Sequence, residues 1–389
     1  MRSMGVLAGV MILLCAAGLP QAKGEDANAA NSVFASATPD REVVCDLRFK
    51  PSGFNLGLTA KADASIKETN GPNFEGRKVS RGVIQSREPN AKPMLFVWDK
   101  SKGNLYLDLN NNLDLTDDVN GVFSSGPGKF DKMQVERQFG ETRVPYVIRA
   151  YLFYSSDYYQ FTVLSGFEGE AELGSKRRRI SFADNMNGIA GTGDYFAITS
   201  ADSNFRPPAD EPGIYAPNDV FLDGKNWAVS YEFMTVDGQA CVRARFKETP
   251  RETGKVLIEG KFIRYLTLKN GRSITVFENI EGEVVAPAGK QTLGQIFLDG
   301  GKAGLFERNT YSYEQLDVRK NETLTLKAGG PLNNSVKVKH IGRVLQFSYK
   351  LVGADEKEYT SRNRNAENAP KFAVFKGDKE IGSGTFKFG

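Results

Sequence analysis

Histidine is almost missing from this chain: His340 is the only one in 389 residues. Cysteine is nearly as scarce, with three in all. Zinc sites draw on clustered His and Cys, so no such centre can be assembled here. A Ser-His-Asp or Cys-His nucleophile would have to be built on His340 alone. That residue closes the alternating run Val336 to Lys339 just before Ile341-Gly342, the place of a turn or surface side chain. No glycine-rich phosphate loop is present. The Gly-Gly pairs at 300–301 and 329–330 lead into polar turns instead of helices.

Charge of one sign is also lacking. The formal net charge is +4, and Arg2 and Lys23 near the N-terminus carry two of those positives. The rest is close to neutral for its size, which gives no reason to expect nucleic acid as a partner. After the first twenty residues no run is apolar enough to span a membrane, and no stretch keeps a 3.6-residue period for twelve residues. Those two absences argue against a transmembrane helix and against a helical fold.

The N-terminus sets the expected compartment. Arg2 gives a positive start, Gly5 to Leu19 is uncharged, and Ala22-Lys23-Gly24 puts small residues where a signal peptidase reads. This is the order of a secretory signal peptide over 1–24, and the uncharged run is too short for a permanent span. The chain is thus expected to be periplasmic or secreted. Residues 25–41, rich in Ala, Asn, Ser and Asp, read as a flexible leader. Cys15 leaves with the signal, so Cys45 and Cys241 remain. Alternation puts Cys45 with Leu47 and Phe49 but Cys241 with Arg243 and Arg245, so two unpaired thiols are the better expectation.

From Glu42 onward the sequence alternates in short runs broken by turn dipeptides, the pattern of an all-β, multi-domain chain of antiparallel sandwich-like or barrel-like units. Trp227, Val229, Tyr231 and Phe233 alternate on one strand, which turns back at Asp237-Gly238, a pair suited to tight hairpins because both positions tolerate positive φ. A hairpin at Gly174-Ser175 would set Leu173 against Lys176, Glu172 against Arg177 and Glu170 against Arg179. The basic run 176–179 then reads as one half of a charge-paired sheet face rather than a polyanion site. The expected units are a large β-domain over 42–250, a small sandwich-like unit over 251–322 and a C-terminal unit over 323–389.

One motif carries ion chemistry. In Asp108-Leu109-Asn110-Asn111-Asn112-Leu113-Asp114-Leu115-Thr116-Asp117-Asp118, oxygen-bearing side chains fall at alternate positions. Calcium takes six to eight oxygens at flexible distances, and alternate residues of a curled loop can converge on one ion. The candidate ligands are Asp108, Asn110, Asn112, Asp114, Thr116 and Asp118. The competing reading is an Asn/Asp-rich turn that satisfies its own backbone through Asx bonds. A second segment, Asp184 to Gly188 with Asp194, is a poorer match because Met186 interrupts the alternation, and it reads first as a loop between strands. Carboxylate-pair catalysis stays open among 47 acidic residues. Flat aromatics for sugar binding have candidates in Trp98, Trp227, Tyr151, Tyr154, Tyr158 and Tyr159.

The 108–118 motif resembles the first part of EF-hand-type and dockerin-type calcium loops, and Trp98-Asp99 through Asp117-Asp118 resembles segments of uncharacterised exported bacterial β-rich proteins. Leu113 stands where such loops have glycine, and Val119 where an EF-hand has glutamate. Val285-Ala286-Pro287-Ala288-Gly289 resembles, weakly, a turn of carboxypeptidase-regulatory-like sandwiches, near 251–320. These resemblances imply export and calcium, and no activity. The expected function is an exported non-enzymatic binding or structural protein of the cell envelope, stabilised by calcium, with an envelope protein or carbohydrate as partner. The alternative is a carbohydrate-binding module or a carboxylate-dependent glycoside hydrolase. A subunit of a surface assembly would show itself through a long unpaired edge strand.

Overall fold

The computed structural model describes residues 10–13, 41–85, 93–125, 128–153, 158–191, 193–207, 215–308, 314–342, 344–362 and 369–386. The expected signal peptide, apart from 10–13, and the leader, apart from Arg41, lie outside the described residues, as does Tyr154. Within the described residues the regular structure is strand throughout, save two 3-10 turns at Val119–Gly121 and Gly301–Ala303. The fold is all-β. No helix among the described residues is long and apolar enough to cross a membrane.

Contacts divide the chain after Pro250 into two units. The first comprises Thr38–Pro250 with Gly271–Ile274. It holds an eight-stranded antiparallel sheet ordered Val122–Ser124, Asn104–Leu107, Met94–Asp99, Val79–Gln85, Leu56–Ala62, Tyr159–Val163, Thr142–Leu152, Lys129–Phe139. The two end strands of that order are consecutive in the chain, and the sheet curls nearly closed like a barrel. A second run of seven strands is ordered Tyr195–Ser200, Lys176–Ala183, Gly166–Leu173, Glu42–Lys50, Gln239–Thr249, Lys225–Val236, Asp219–Leu222.

The hairpin at Gly174-Ser175 pairs Glu170 with Arg179, Glu172 with Arg177 and Leu173 with Lys176. Arg177 reaches Glu170 at 2.7 Å, whereas Lys176 and Arg178, alternating to the other face, both reach Asp223 outside the hairpin. Asp237 and Gly238 both take positive φ, 53° and 73°, and Val236 pairs with Gln239 across them. Cys45 and Cys241 are both buried and free. Burial, more than the neighbouring acids, pushes the Cys45 thiol up to about 11, so it stays protonated at neutral pH.

The second unit holds Arg251–Asn270 and Thr275–Gly389. Its core gathers Val256, Ile258, Leu266, Leu268, Ile296, Leu298, Leu326 and Tyr359. Lys255–Glu259 pairs in parallel with Thr323–Lys327, so the stretches on either side of position 322 share one core. Asn333–Ile341 ends its strand order, and Lys337 and Lys339 lie exposed on it, a charged edge of the kind that discourages edge-to-edge pairing. Lys371–Lys376 and Lys379–Thr385 form a closing hairpin, and Val10–Leu13 pairs antiparallel with the first of these.

Candidate functional site: two acidic loops around a buried arginine

The 108–118 loop follows the Asn104–Leu107 strand and is held down by its leucines. Leu115 is buried beside Leu95, Val97 and Tyr106, and Leu113 packs against the same cluster with Ile66 and Phe74. Main-chain bonds from the 69–70 segment clamp it further: Thr69 N donates to Leu113 O at 2.7 Å, and Leu115 N to Asn70 O at 2.9 Å. Asn111 and Leu113 both adopt left-handed backbone, φ 59° and 66°. Asparagine tolerates that region, whereas leucine pays of order 1 kcal/mol or more for it. The turn that related loops make with glycine is made here with a strained leucine, fixed by the apolar contacts of its side chain.

Inside the loop the oxygens first serve the backbone. Asp108 accepts from Asn112 N at 3.1 Å and Leu113 N at 3.0 Å. Asn110 Oδ1 accepts from Asn112 N, Asn112 Oδ1 from Asp114 N, and Asp114 Oδ1 from Thr116 N, at 3.1, 2.7 and 2.8 Å. That is a ladder of Asx turns, each reaching two residues ahead. Asp114 and Thr116 face the clamp: Thr116 Oγ1 and Asn70 Nδ2 donate to the two Asp114 oxygens, holding that carboxyl below its usual range.

The acids gather at the other end. Asp108 is fully buried and Asp118 only 7 % exposed. Asn110 Nδ2 and Asn112 Nδ2 both donate to Asp117 Oδ2, at 3.1 and 2.7 Å. Asp118 Oδ2 is buried with no hydrogen-bond donor. Burial, then the negative charges of Asp108 and Asp117, push the Asp118 carboxyl up to about 7; burial raises Asp108 as well. Of the six residues expected from the spacing, the fold brings Asp108 and Asp118 together and aims Asp114 and Thr116 elsewhere. Asp117 joins the acidic end.

The residue that the sequence reading missed is Arg137. It is 5 % exposed on the Lys129–Phe139 strand. Its Nε donates to Leu109 O at 2.8 Å, and its Nη1 donates to Met186 O. Burial, the largest influence, lowers the pKa of its guanidinium, while the charges of Asp184, Asp108 and Asp118 raise it. A sequence signal existed. Met133, Val135, Arg137 and Phe139 share one face of an alternating strand, and a charge on an apolar face needs buried partners.

Those partners include the second acidic segment. Asp184 and Asp194 are buried, 1 % and 0 % exposed. Asp184 Oδ2 accepts from the Tyr146 hydroxyl and from Met186 N; Asp194 accepts from Asn185 N at 2.9 Å and Gly191 N at 2.8 Å. Gly188, at φ +78°, lies so close to Phe139 that any Cβ would collide with the ring. Gly188, Ile189 and Ala190 border an open depression of about 550 Å³ with Phe139, Tyr231 and Phe233.

Among the described residues no cluster of three or more His, Cys, Asp or Glu side chains has the spacing of a metal site; any ion here would also need neutral oxygens. Of the described aromatics named for sugar binding, Trp98, Trp227 and Tyr159 are buried and only Tyr158 is well exposed. Comparison with family models, curated proteins and solved structures finds no match to this chain.

Proposed function

We propose that this chain is an exported, non-enzymatic binding or structural protein of the cell envelope, whose 108–118 loop is stiffened by calcium. The observation that carries the calcium reading is Asp118 Oδ2: a buried carboxylate oxygen without a donor, crowded by Asp108 and Asp117. An uncompensated buried charge is costly, and a divalent cation compensates several carboxylates at once. Asp108 and Asp118 would supply the charge, with Asp117 beside them and Asn110 and Asn112 offering neutral oxygens. The ion's contribution is rigidity, because calcium prefers flexible oxygen shells over any fixed geometry. Export rests on the signal-peptide order of residues 1–24. The non-enzymatic reading rests on a sequence without clustered histidine, phosphate loop or nucleophile motif. The sugar reading loses its main anchors where Trp98 and Trp227 are fully buried.

The test is a thermal melt in EDTA and in millimolar calcium, for the wild type and for Asp118→Asn. At 100 times its Kd, calcium should stabilise the wild type by about 2.7 kcal/mol, and the variant should lose that gain. If calcium leaves the wild-type melt unchanged, the loop is an Asx-bonded turn and the calcium reading fails.

A further inference from the structure

We propose that Asp184 and Asp194 share a single proton, a latch between the two carboxyls that alkali releases. The geometry leaves little alternative. Asp184 Oδ2 is occupied by the Tyr146 hydroxyl and Met186 N. Asp184 Oδ1 is buried and finds no donor, yet the group bonded alongside it is the Asp194 carboxyl. Both Asp194 oxygens accept main-chain N–H groups, from Asn185 and Gly191. Two carboxylates in contact within a dry interior cannot both ionise, and one proton between them turns a repulsion into a hydrogen bond. Burial, and then the Asp184 charge, hold Asp194 well above the ordinary carboxyl range.

Every element packed on the pair bears on the assignment. Burial raises the Asp184 carboxyl too, while the Tyr146 hydroxyl and the charge of Arg137, on Lys129–Phe139, favour its ionised form. Tyr146 on Thr142–Leu152 donates to it. Tyr231 on Lys225–Val236 faces Asp194 with its own ionisation suppressed, chiefly by burial. Arg272, in the turn that belongs to this same unit, acts on Tyr231 and reaches Ala216 O at 3.4 Å. Arg137 is shared among Asp184, Asp108 and Asp118, so it offsets at most one charge of the pair, and the other carboxyl holds its proton.

The sign of the pH dependence follows. A carboxyl that holds its proton more tightly when folded stabilises the fold at low pH, and that stability drains away as pH rises from the unfolded range near 4 through the folded titration. Over that window the folding constant falls by up to tenfold per pH unit for one proton. Asp184→Asn is the decisive variant. Its amide oxygen still accepts from Tyr146 and Met186 N, and its amide N–H donates to an ionised Asp194, so no proton is needed.

The experiment measures unfolding of the full chain in EDTA from about pH 5 to about pH 9, for the wild type and Asp184→Asn. Infrared spectra record the carbonyl band of a protonated carboxylic acid. Asp118 titrates alike in both proteins and cancels in the comparison, and the absence of calcium keeps this result separate from the ion reading. The expected result is a wild-type stability that falls with pH relative to the variant, and a protonated-acid band at neutral pH that the variant lacks. Parallel pH profiles and identical bands would overturn the latch. If Asp184→Asn does not fold, Asp194→Asn takes its place. If neither folds, the wild-type band beyond what Asp118→Asn removes decides: its absence sinks the proposal.

Discussion

The two acidic loops on either side of Arg137 are built from the same residue types and solve opposite problems. The 108–118 loop meets water along Asn110, Asn112 and Asp114, whose side chains are spent on an Asx ladder; of its carboxyls, those of Asp108 and Asp118 enter the interior. The 184–194 loop sends both of its carboxyls inside, where Tyr146 and main-chain N–H groups meet them. Composition therefore does not decide what an acidic loop binds. Depth does, because a carboxylate in water keeps its charge without help, while a buried one needs a cation or a proton. Arg137 supplies half of the answer to each loop. The remainder is proposed to be calcium on one side and a proton on the other.

The largest effect should come from removing that shared cation. Arg137→Met should cost about 3–5 kcal/mol in urea unfolding, since it strands buried acids and the carbonyls of Leu109 and Met186. A loss below about 1 kcal/mol, the level of a surface pair, would show that the two loops are not held by one charge.

A smaller effect sharpens the difference between the loops. In EDTA, stability should fall as pH rises from the ordinary carboxyl range near 4 toward the folded Asp118 value of about 7. The raised folded pKa makes protonation favour the native state, so the contribution is full below the unfolded value and lost through the folded one. Asp118→Asn should flatten this part of the profile, as should saturating calcium. A profile that keeps its slope in both would place the crowding elsewhere.

The smallest effect belongs to Asp114. Its carboxyl lies below the ordinary range, held first by Thr116 and then by Asn70, so its stabilisation exists above that range and fades as the carboxyl protonates in acid. Asp114→Ala should shift the melt slightly at neutral pH, and by less as acid protonates the carboxyl through its lowered folded value. A shift comparable to that of Asp118→Asn would make Asp114 a member of the acidic end after all.

Much of the framework was legible. The Glu170–Arg179 register follows from a two-residue loop, because strand pairing leaves only one alignment once the turn is fixed. The Asp237-Gly238 hairpin follows from the need for positive φ. The ion motif was legible as a composition and only half legible as a site. Spacing located Asp108 and Asp118, but could not tell that Asp114 would be claimed by Asn70, forty-four residues away in the chain. Leu113 looked like a departure from a calcium loop, and the structure makes the left-handed turn there regardless, because packing against the cluster of Leu95, Val97, Tyr106 and Leu115 outweighs the local strain.

By itself the sequence determined the all-β class and the hairpin registers, because strand periodicity and turn residues act over a few positions. Its single histidine confined the histidine-based chemistries to what His340 alone could carry. Only the tertiary structure decided which acids are buried together. The burial of Asp184 against Tyr146, and the seating of Arg137 between Leu109 and Met186, depend on strands far apart in the chain. Burial and charge compensation are properties of that assembled interior.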